Sequence, residues 1–209
     1  MTNRLDQAMA ALPLVAILRG IAPKDAAAIG DVLYAAGFRI IEVPLNSPQP
    51  TDSIKILRDR LAADAVVGAG TVLDVAAVKA VADAGGELIV MPHADVTVIR
   101  AAKERGLFCV PGVATPTEAF AALAAGADAL KAFPAEMLTP PVIKAWRAVL
   151  PKVAILPVGG ITPKNMGPYI EAGAAGFGLG SALYKPGSTS AEVATAAKAF
   201  TDAWRALAR

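Results

Sequence analysis

The stretch TPTEAFAALAAGADALKAFP, residues 115–134, contains one complete structural unit of the chain. Its first half is rich in alanine, with a proline near the start and Gly126 just past the end, an asymmetry typical of an α-helix. The glycine caps the helix and leads into ALKAF, residues 129–133, a short apolar run that indicates a buried strand. The stretch therefore predicts a helix followed at once by a strand, with Lys131 inside that strand.

The same pattern repeats along the chain and predicts a parallel α/β fold. Apolar runs that alternate with capped helical segments indicate crossovers between parallel strands, and strands covered on both faces are apolar throughout. The predicted strands are residues 14–18, 39–43, 65–70, 87–91, 107–110, 129–133, 153–158 and 176–180. Eight such units predict a (β/α)8 TIM barrel as a single domain over residues 1–209, with a short N-terminal helix in residues 1–13 and a last helix in 190–209. A doubly wound open sheet is the alternative.

The composition excludes several classes of function. The 209 residues are 55% hydrophobic, yet no apolar run approaches the roughly 20 residues of a membrane span, and no signal peptide is evident. We therefore expect a soluble, cytoplasmic protein with no membrane partner. The net charge is +2 from scattered basic residues, which does not favour nucleic-acid binding. The single cysteine, Cys109, excludes an internal disulfide and is expected to be buried, and the single histidine, His93, argues against a metal site.

The residues at the carboxyl ends of the predicted strands carry most of the chemistry. In TIM barrels this end of the sheet holds the functional groups. The strand ends here contain a guanidinium, a carboxylate, a lysine and two glycine-rich loops, and these groups converge if the fold is correct. The candidates are Arg19, Glu42, Asn46, Thr71, His93, Lys131, Gly159, Gly160, Gly180 and Ser181.

Lys131 lies among apolar neighbours, Leu130, Ala132 and Phe133, which implies a desolvated amine. Desolvation favours the neutral form of a lysine, and a nearby Arg19 would act in the same direction. Because a neutral amine attacks ketones, we predict Schiff-base chemistry at this position. The alternative is a lysine whose side chain extends past the rim of the barrel into solvent.

Glu42 lies in FRIIEVPLNSP, residues 38–48, on the same face of its strand as Ile40. A carboxylate in such a run either forms an ion pair with Arg19 or Lys131 or transfers protons beside an imine, and the two are compatible. The guanidinium of Arg19 matches a substrate carboxylate. Thr71 could add a hydroxyl donor to the same anion, or it could cap the following helix.

The loops PVGGITPKN, residues 157–165, and GLGSALY, residues 178–184, follow the last two predicted strands. Glycine-rich backbone beside a helix N-terminus binds phosphate, and TIM barrels place phosphate sites at these two loops. Plain tight turns are the alternative. The run GFGLG, residues 176–180, resembles part of a dinucleotide-binding fingerprint, but no βαβ unit follows it, so that function is discounted. The role of His93 stays open.

Six motifs in order resemble one known family across nearly the whole chain. They are AILRGI (16–21), IEVPLNSP (41–48), GAGTVL (68–73), ALKAFP (129–134), PVGGITP (157–163) and GLGSALY (178–184). Together they resemble the 2-keto-3-deoxy-6-phosphogluconate/6-phosphogalactonate aldolases. The resemblance implies a class I aldolase on a homotrimeric (β/α)8 barrel that needs neither a cofactor nor a metal.

The resemblance also implies roles for the candidate residues. Lys131 would form a protonated imine with the C2 ketone of a phosphorylated 2-keto-3-deoxy sugar acid. Glu42, acting through a water, would take the C4 hydroxyl proton, so that glyceraldehyde 3-phosphate and then pyruvate are released. The carboxylate-binding and phosphate-binding residues implied are Arg19 and Thr71, and Gly159, Gly160, Gly180 and Ser181.

Two positions depart from the phosphogluconate enzymes. Asn46 stands where those enzymes typically have an arginine, and Val158 where they have a threonine near the C4 hydroxyl. Both departures are similar to the phosphogalactonate branch and imply 2-dehydro-3-deoxy-6-phospho-D-galactonate as substrate, although that branch commonly has Asn in place of His93. Three alternatives remain: the C4 epimer, 2-dehydro-3-deoxy-6-phospho-D-gluconate; a metal-free phosphosugar epimerase or isomerase with Glu42 as base; and a non-catalytic phosphate-binding or scaffold protein.

Overall fold

Helices and strands alternate along the computed structural model, which describes residues 3–207. The strands are β1 Leu14–Ile17, β2 Ile40–Pro44, β3 Val66–Gly70, β4 Leu88–Val90, β5 Phe108–Val110, β6 Gly112–Val113, β7 Ala129–Ala132, β8 Ala154–Pro157 and β9 Phe177–Leu179. The helices are α1 Arg4–Ala11, α2 Pro23–Ala35, α3 Pro50–Arg60, α4 Val75–Asp83, α5 Val96–Glu104, α6 Pro116–Ala124, α7 Pro140–Arg147, α8 Met166–Glu171 and α9 Ser190–Leu207. The short N-terminal helix is confirmed as α1, and the ends predicted for the terminal segments, residues 1–2 and 208–209, lie outside the described residues.

The stretch 115–134 forms the predicted helix and strand, α6 and β7. Thr115 caps α6 by accepting the N–H of Glu118, whose carboxylate accepts the N–H of Thr115 at 2.9 Å, a reciprocal capping box. Gly126 follows the helix at a φ of 103°, a conformation that favours glycine, and turns the chain into the strand.

All paired strands are parallel, as predicted. One sheet has six strands in the order β5-β4-β3-β2-β1-β9, and a second has the order β6-β7-β8. A parallel bridge between Val158 and Gly178 lies between β8 and β9. The fold is therefore a parallel α/β fold with a curled sheet.

Pro111 divides the fifth predicted strand, a feature that the sequence did not predict. The strand expected at residues 107–110 continues beyond the proline as β6. Proline has no N–H to donate to a ladder, but its carbonyl still accepts the N–H of Lys131 at 2.9 Å. The hydrogen bonding to β7 thus continues past the interruption.

Side chains on the strands alternate between two apolar clusters. The outer cluster fills the space between the strands and the helices, whereas the inner cluster lies on the concave side of the sheet and includes Val15, Ile40 and Val66. Helix α1 packs Leu5 and Ala8 against the inner cluster. Because strand side chains alternate, Glu42 and Lys131 lie on this inner face, two residues beyond Ile40 and Ala129.

No helix within residues 3–207 combines the length and the hydropathy that a membrane crossing requires.

Candidate active site

Lys131 is buried in β7, with only 5% of its surface exposed. Its amine lies 4.5 Å from the centre of the Phe133 ring. Burial lowers the pKa of Lys131, Glu42 opposes this change, and Arg19 adds to it. The desolvated setting inferred from the neighbouring residues is therefore present, and the side chain does not extend into solvent.

Glu42 is buried in β2 with 1% of its surface exposed. Burial raises its pKa to about 7, although the positive charges of Lys131 and Arg19 act in the opposite direction. Within residues 3–207 its Oε2 atom has no hydrogen-bond partner, and no ion pair within 4.0 Å joins it to Lys131 or Arg19. A buried carboxyl without a hydrogen-bond partner lowers the stability of the fold. Titratable groups in such unfavourable settings are typical of functional sites.

Two cavities meet at Lys131. The inner one is almost wholly apolar, is lined by Glu42 and Lys131 and extends to Leu5 of α1. The outer one, with a volume of about 280 Å³, opens at the carboxyl ends of the strands. The predicted residues that line the outer cavity are Arg19, Lys131, Val158, Gly159, Gly160, Gly180 and Ser181. The structure therefore brings most of the predicted site residues together.

Asn46 is the hydrogen-bond partner of Arg19. The guanidinium donates from Nη1 to Oδ1 of Asn46 at 3.0 Å. The next residue, Ser47, accepts the N–H of Gly20 at 2.9 Å and so ties the two strand ends together. The family resemblance had indicated only that Asn46 replaces an arginine of the phosphogluconate enzymes. The structure adds that Asn46 accepts a hydrogen bond from Arg19.

The two glycine-rich loops present unpaired backbone donors. Gly159 and Gly160 have φ angles of 111° and 62°, and the loop is held because Asn165 donates to the carbonyl of Gly160 at 2.8 Å. After β9, the carbonyl of Gly180 accepts the N–H groups of Leu183 and Tyr184, so a helical turn begins at Ser181. Within residues 3–207 no acceptor receives the N–H groups of Gly160 and Ser181. Donors of this kind suit an anion.

Thr71 and His93 are not among the described residues that line the two cavities. Thr71 directly follows β3 at a φ of 54°, a conformation that costs a β-branched residue on the order of 1–3 kcal/mol. It does not cap the next helix, because Asp74 accepts the N–H of Ala77 there. His93 is exposed beyond β4, and its role stays open.

Cys109 is buried as predicted, and burial raises the pKa of its thiol to about 12. Its Sγ lies 3.9 Å from Sδ of Met91. Among residues 3–207 no three His, Cys, Asp or Glu side chains form a group that could hold a metal ion.

Glu136 is a member of the outer cavity that the sequence did not indicate. Its carboxylate lies against Gly159 and Gly160, so closely that a Cβ on Gly159 would overlap Oε2. The sequence does show an acidic residue five positions after Lys131, in FPAE. Its place in the site could not be predicted from that, because it depends on the contact between this segment and the loop after β8.

Comparisons with known proteins place this chain in an established family. Residues 5–198 match the family model "KDPG and KHG aldolase". The 2-dehydro-3-deoxy-6-phosphogalactonate aldolase of Escherichia coli (strain K12) is 49% identical over 93% of this chain and 95% of its own length. A structure solved as native KDPGal has a TM-score of 0.93 and 48% identity, over 94% of this chain and 96% of that one.

A more distant structure holds a covalent intermediate. The KDPG aldolase of Legionella pneumophila, with pyruvate captured as a covalent carbinolamine, has a TM-score of 0.79 and 27% identity over 99% of this chain and 98% of that one. With the parallel fold, the matched family model and the close relatives taken together, the chain is an aldehyde-lyase of the aldolase class. It belongs to the KDPG and KHG aldolase family.

Proposed function

We propose that the chain is a class I aldolase that cleaves 2-dehydro-3-deoxy-6-phospho-D-galactonate to pyruvate and D-glyceraldehyde 3-phosphate. The observation that carries the proposal is the pairing, in one apolar cavity, of a buried lysine of lowered pKa with a buried carboxyl of raised pKa. The substrate is that of the relative at 49% identity.

Lys131 is the nucleophile in this proposal. Its neutral amine adds to the C2 ketone, and the resulting carbinolamine takes up one proton and loses water to give a protonated imine. The ionised Glu42 then takes the C4 hydroxyl proton, the C3–C4 bond breaks, and its electrons pass into the imine to give an enamine. Glyceraldehyde 3-phosphate departs, Glu42 returns a proton to C3, and hydrolysis of the imine releases pyruvate and restores the amine. The protonated imine is the electron sink, so these steps require no metal ion.

The two ends of the substrate bind to opposite parts of the outer cavity. Arg19, held by Asn46, pairs with the substrate carboxylate. Thr71 lies outside the lining of this cavity, at the end of β3, and its proposed hydroxyl contact with the same carboxylate is carried by the family resemblance. The phosphate binds the backbone N–H groups of the two loops, at Gly159, Gly160, Gly180 and Ser181. The unpaired N–H groups of Gly160 and Ser181 support this assignment.

Val158 supports the galactonate epimer over the gluconate epimer. Its apolar side chain is 8% exposed and lines both cavities beside Lys131. A hydroxyl directed at this wall finds no side-chain hydrogen-bond partner there, so the epimer whose C4 hydroxyl points elsewhere is favoured. The phosphogluconate enzyme named above is the more distant of these relatives, at 27% identity.

The test is a parallel assay of pyruvate release from the two C4 epimers. We expect a higher kcat/KM with the galactonate epimer, and an equal or higher value with the gluconate epimer would reverse the assignment. An epimerase or isomerase that uses Glu42 alone would release no pyruvate from either compound.

We also propose that the two sheets form one closed eight-stranded barrel in a single domain. Support comes from the continuity of β5 and β6 around Pro111 and from the bridge between Val158 and Gly178. A cytoplasmic homotrimer that acts in galactonate degradation is the accompanying proposal, carried by the family resemblance. Light scattering tests the assembly, because each chain has a mass of 21.2 kDa and a trimer three times that.

A further inference from the structure

Glu136 projects from a firmly held piece of backbone between β7 and α7. The N–H of Ala135 donates to the carbonyl of Val158 at 2.8 Å, and the carbonyl of Ala135 accepts the hydroxyl of Tyr169 at 2.9 Å. The residue before Glu136 is thus fixed from β8 on one side and α8 on the other. The side chain that follows is directed by this backbone towards the loop after β8.

The carboxylate of Glu136 lies over the two glycines of that loop. A Cβ on Gly159 would overlap Oε2, and one on Gly160 would lie 3.3 Å from Cγ of Glu136. Both glycines have positive φ angles, and the missing side chains leave the space that the carboxylate occupies. Within residues 3–207 the carboxylate forms no hydrogen bond or ion pair that would hold it there.

The charges around the outer cavity are distributed unevenly. Its charged lining side chains are Arg19, Lys131 and Glu136, of which the two cations belong to the keto-acid end of the proposed site. The phosphate end has backbone donors, no cationic side chain in that lining, and one carboxylate. A phosphate group and the Glu136 carboxylate would therefore compete for the same glycine surface, because like charges at short range repel.

We propose that Glu136 sets the affinity of the phosphate end of the site by competing with the substrate phosphate for the Gly159–Gly160 surface. Phosphate displaces the carboxylate when it binds, and this displacement weakens the binding of phosphorylated substrate and product. The proposal rests on the phosphate site assigned above. Its chemical consequence is faster release of glyceraldehyde 3-phosphate at the expense of affinity.

The direct test is calorimetric titration of inorganic phosphate into the wild-type protein and the Glu136→Gln variant. Glutamine keeps the size of the side chain and removes the charge, so we expect the Kd for phosphate to fall by about threefold to fivefold in the variant, the size of effect that an exposed charge has. Met137→Gln is the matched control, because Met137 is adjacent and 74% exposed, and its Kd should equal that of the wild type. An unchanged or higher Kd in Glu136→Gln would overturn the proposal.

Kinetics separates this role from a contact with a substrate hydroxyl. We expect Glu136→Gln to lower KM for the phosphorylated substrate more than kcat changes. A higher KM together with a lower kcat would contradict the proposal, because it would show that the carboxylate binds substrate. If phosphate bound to none of the three proteins, the phosphate site itself would be wrong, whereas borohydride trapping of pyruvate on Lys131 would still report separately on the aldolase chemistry.

Discussion

The carboxylate of Glu42 lies directly against Gly70 of the neighbouring strand. A Cβ at position 70 would overlap both carboxylate oxygens, so the absence of a side chain there makes room for the acid. The two residues are on adjacent parallel strands, with Pro44 in register with Gly70. Strand glycines of this kind mark places where another group approaches closely.

The first prediction concerns this contact. Gly70→Ala should displace the carboxyl and lower kcat by about 10²-fold, because misplacement by about an ångström is enough for such a loss. Steady-state kinetics with the galactonate epimer measures it. Gly167→Ala is the control, since a Cβ there would meet Leu207 at an ordinary 3.4 Å, and it should leave kcat unchanged. Equal activity of the two variants would show that the position of Glu42 is unimportant.

The second prediction separates the chemical role of Lys131 from its contribution to stability. Lys131→Met should lower kcat by about 10³-fold or more. The same change should leave the free energy of unfolding unchanged or raise it by about 1 kcal/mol, because an apolar chain replaces a buried amine. Denaturant melts and activity assays on one preparation provide both values. A large loss of stability would mean that the amine is a structural group.

The third prediction is the pH dependence of activity. Glu42 must be ionised to accept the C4 hydroxyl proton, and burial raises its pKa to about 7. We expect kcat/KM to rise with pH up to about 7 and then to level off. Glu42→Gln should lose most of the activity and this rise. A profile that is already flat at pH 5 would contradict the assignment of Glu42 as the base.

The fourth prediction is the pH dependence of stability from the same carboxyl. Its folded-state pKa of about 7 exceeds its ordinary value of 4.5, so between these values the folded state retains a proton that the unfolded state has lost. The contribution of this carboxyl to the free energy of unfolding is therefore highest below pH 4.5 and falls as the pH rises from 4.5 through about 7, by about 3 kcal/mol in total. Glu42→Gln should lack this decline. The difference in free energy of unfolding between the two proteins, measured from pH 5 to pH 8, should grow in favour of the variant.

The fifth prediction concerns the pair of Arg19 and Asn46. Asn46→Ala should raise KM about threefold to tenfold with little change in kcat, because the guanidinium loses one hydrogen bond that orients it. Asn46→Asp should raise KM further, since a carboxylate would bind Arg19 and compete with the substrate. If both variants bound substrate as tightly as the wild type, Arg19 would not be the carboxylate ligand.

The elements of the fold could be predicted because each depends on local chemistry. Helix α6 is determined by Thr115, Glu118 and Gly126, all within one short segment. The division of the fifth strand at Pro111 was not predicted, because a proline usually ends a strand, and only the pairing with β7 shows that the ladder continues.

The site could be predicted in part. Lys131 and Glu42 stand out as charges inside apolar runs, so their burial follows from the sequence. The contact between Arg19 and Asn46 depends on the register of β1 with β2, and the position of Glu136 depends on two loops that are distant in the chain. The left-handed φ of Thr71 could not be predicted, because β-branched residues such as threonine rarely adopt this conformation.

Trapping the proposed imine between Lys131 and pyruvate is the most direct test of Schiff-base chemistry in this protein. Wild-type protein is treated with pyruvate and borohydride, and intact mass spectrometry with peptide mapping locates the product. We expect one reduced pyruvate adduct per chain, on Lys131, and no adduct on the Lys131→Met variant. An unmodified wild-type protein, or an adduct on a different lysine, would contradict it.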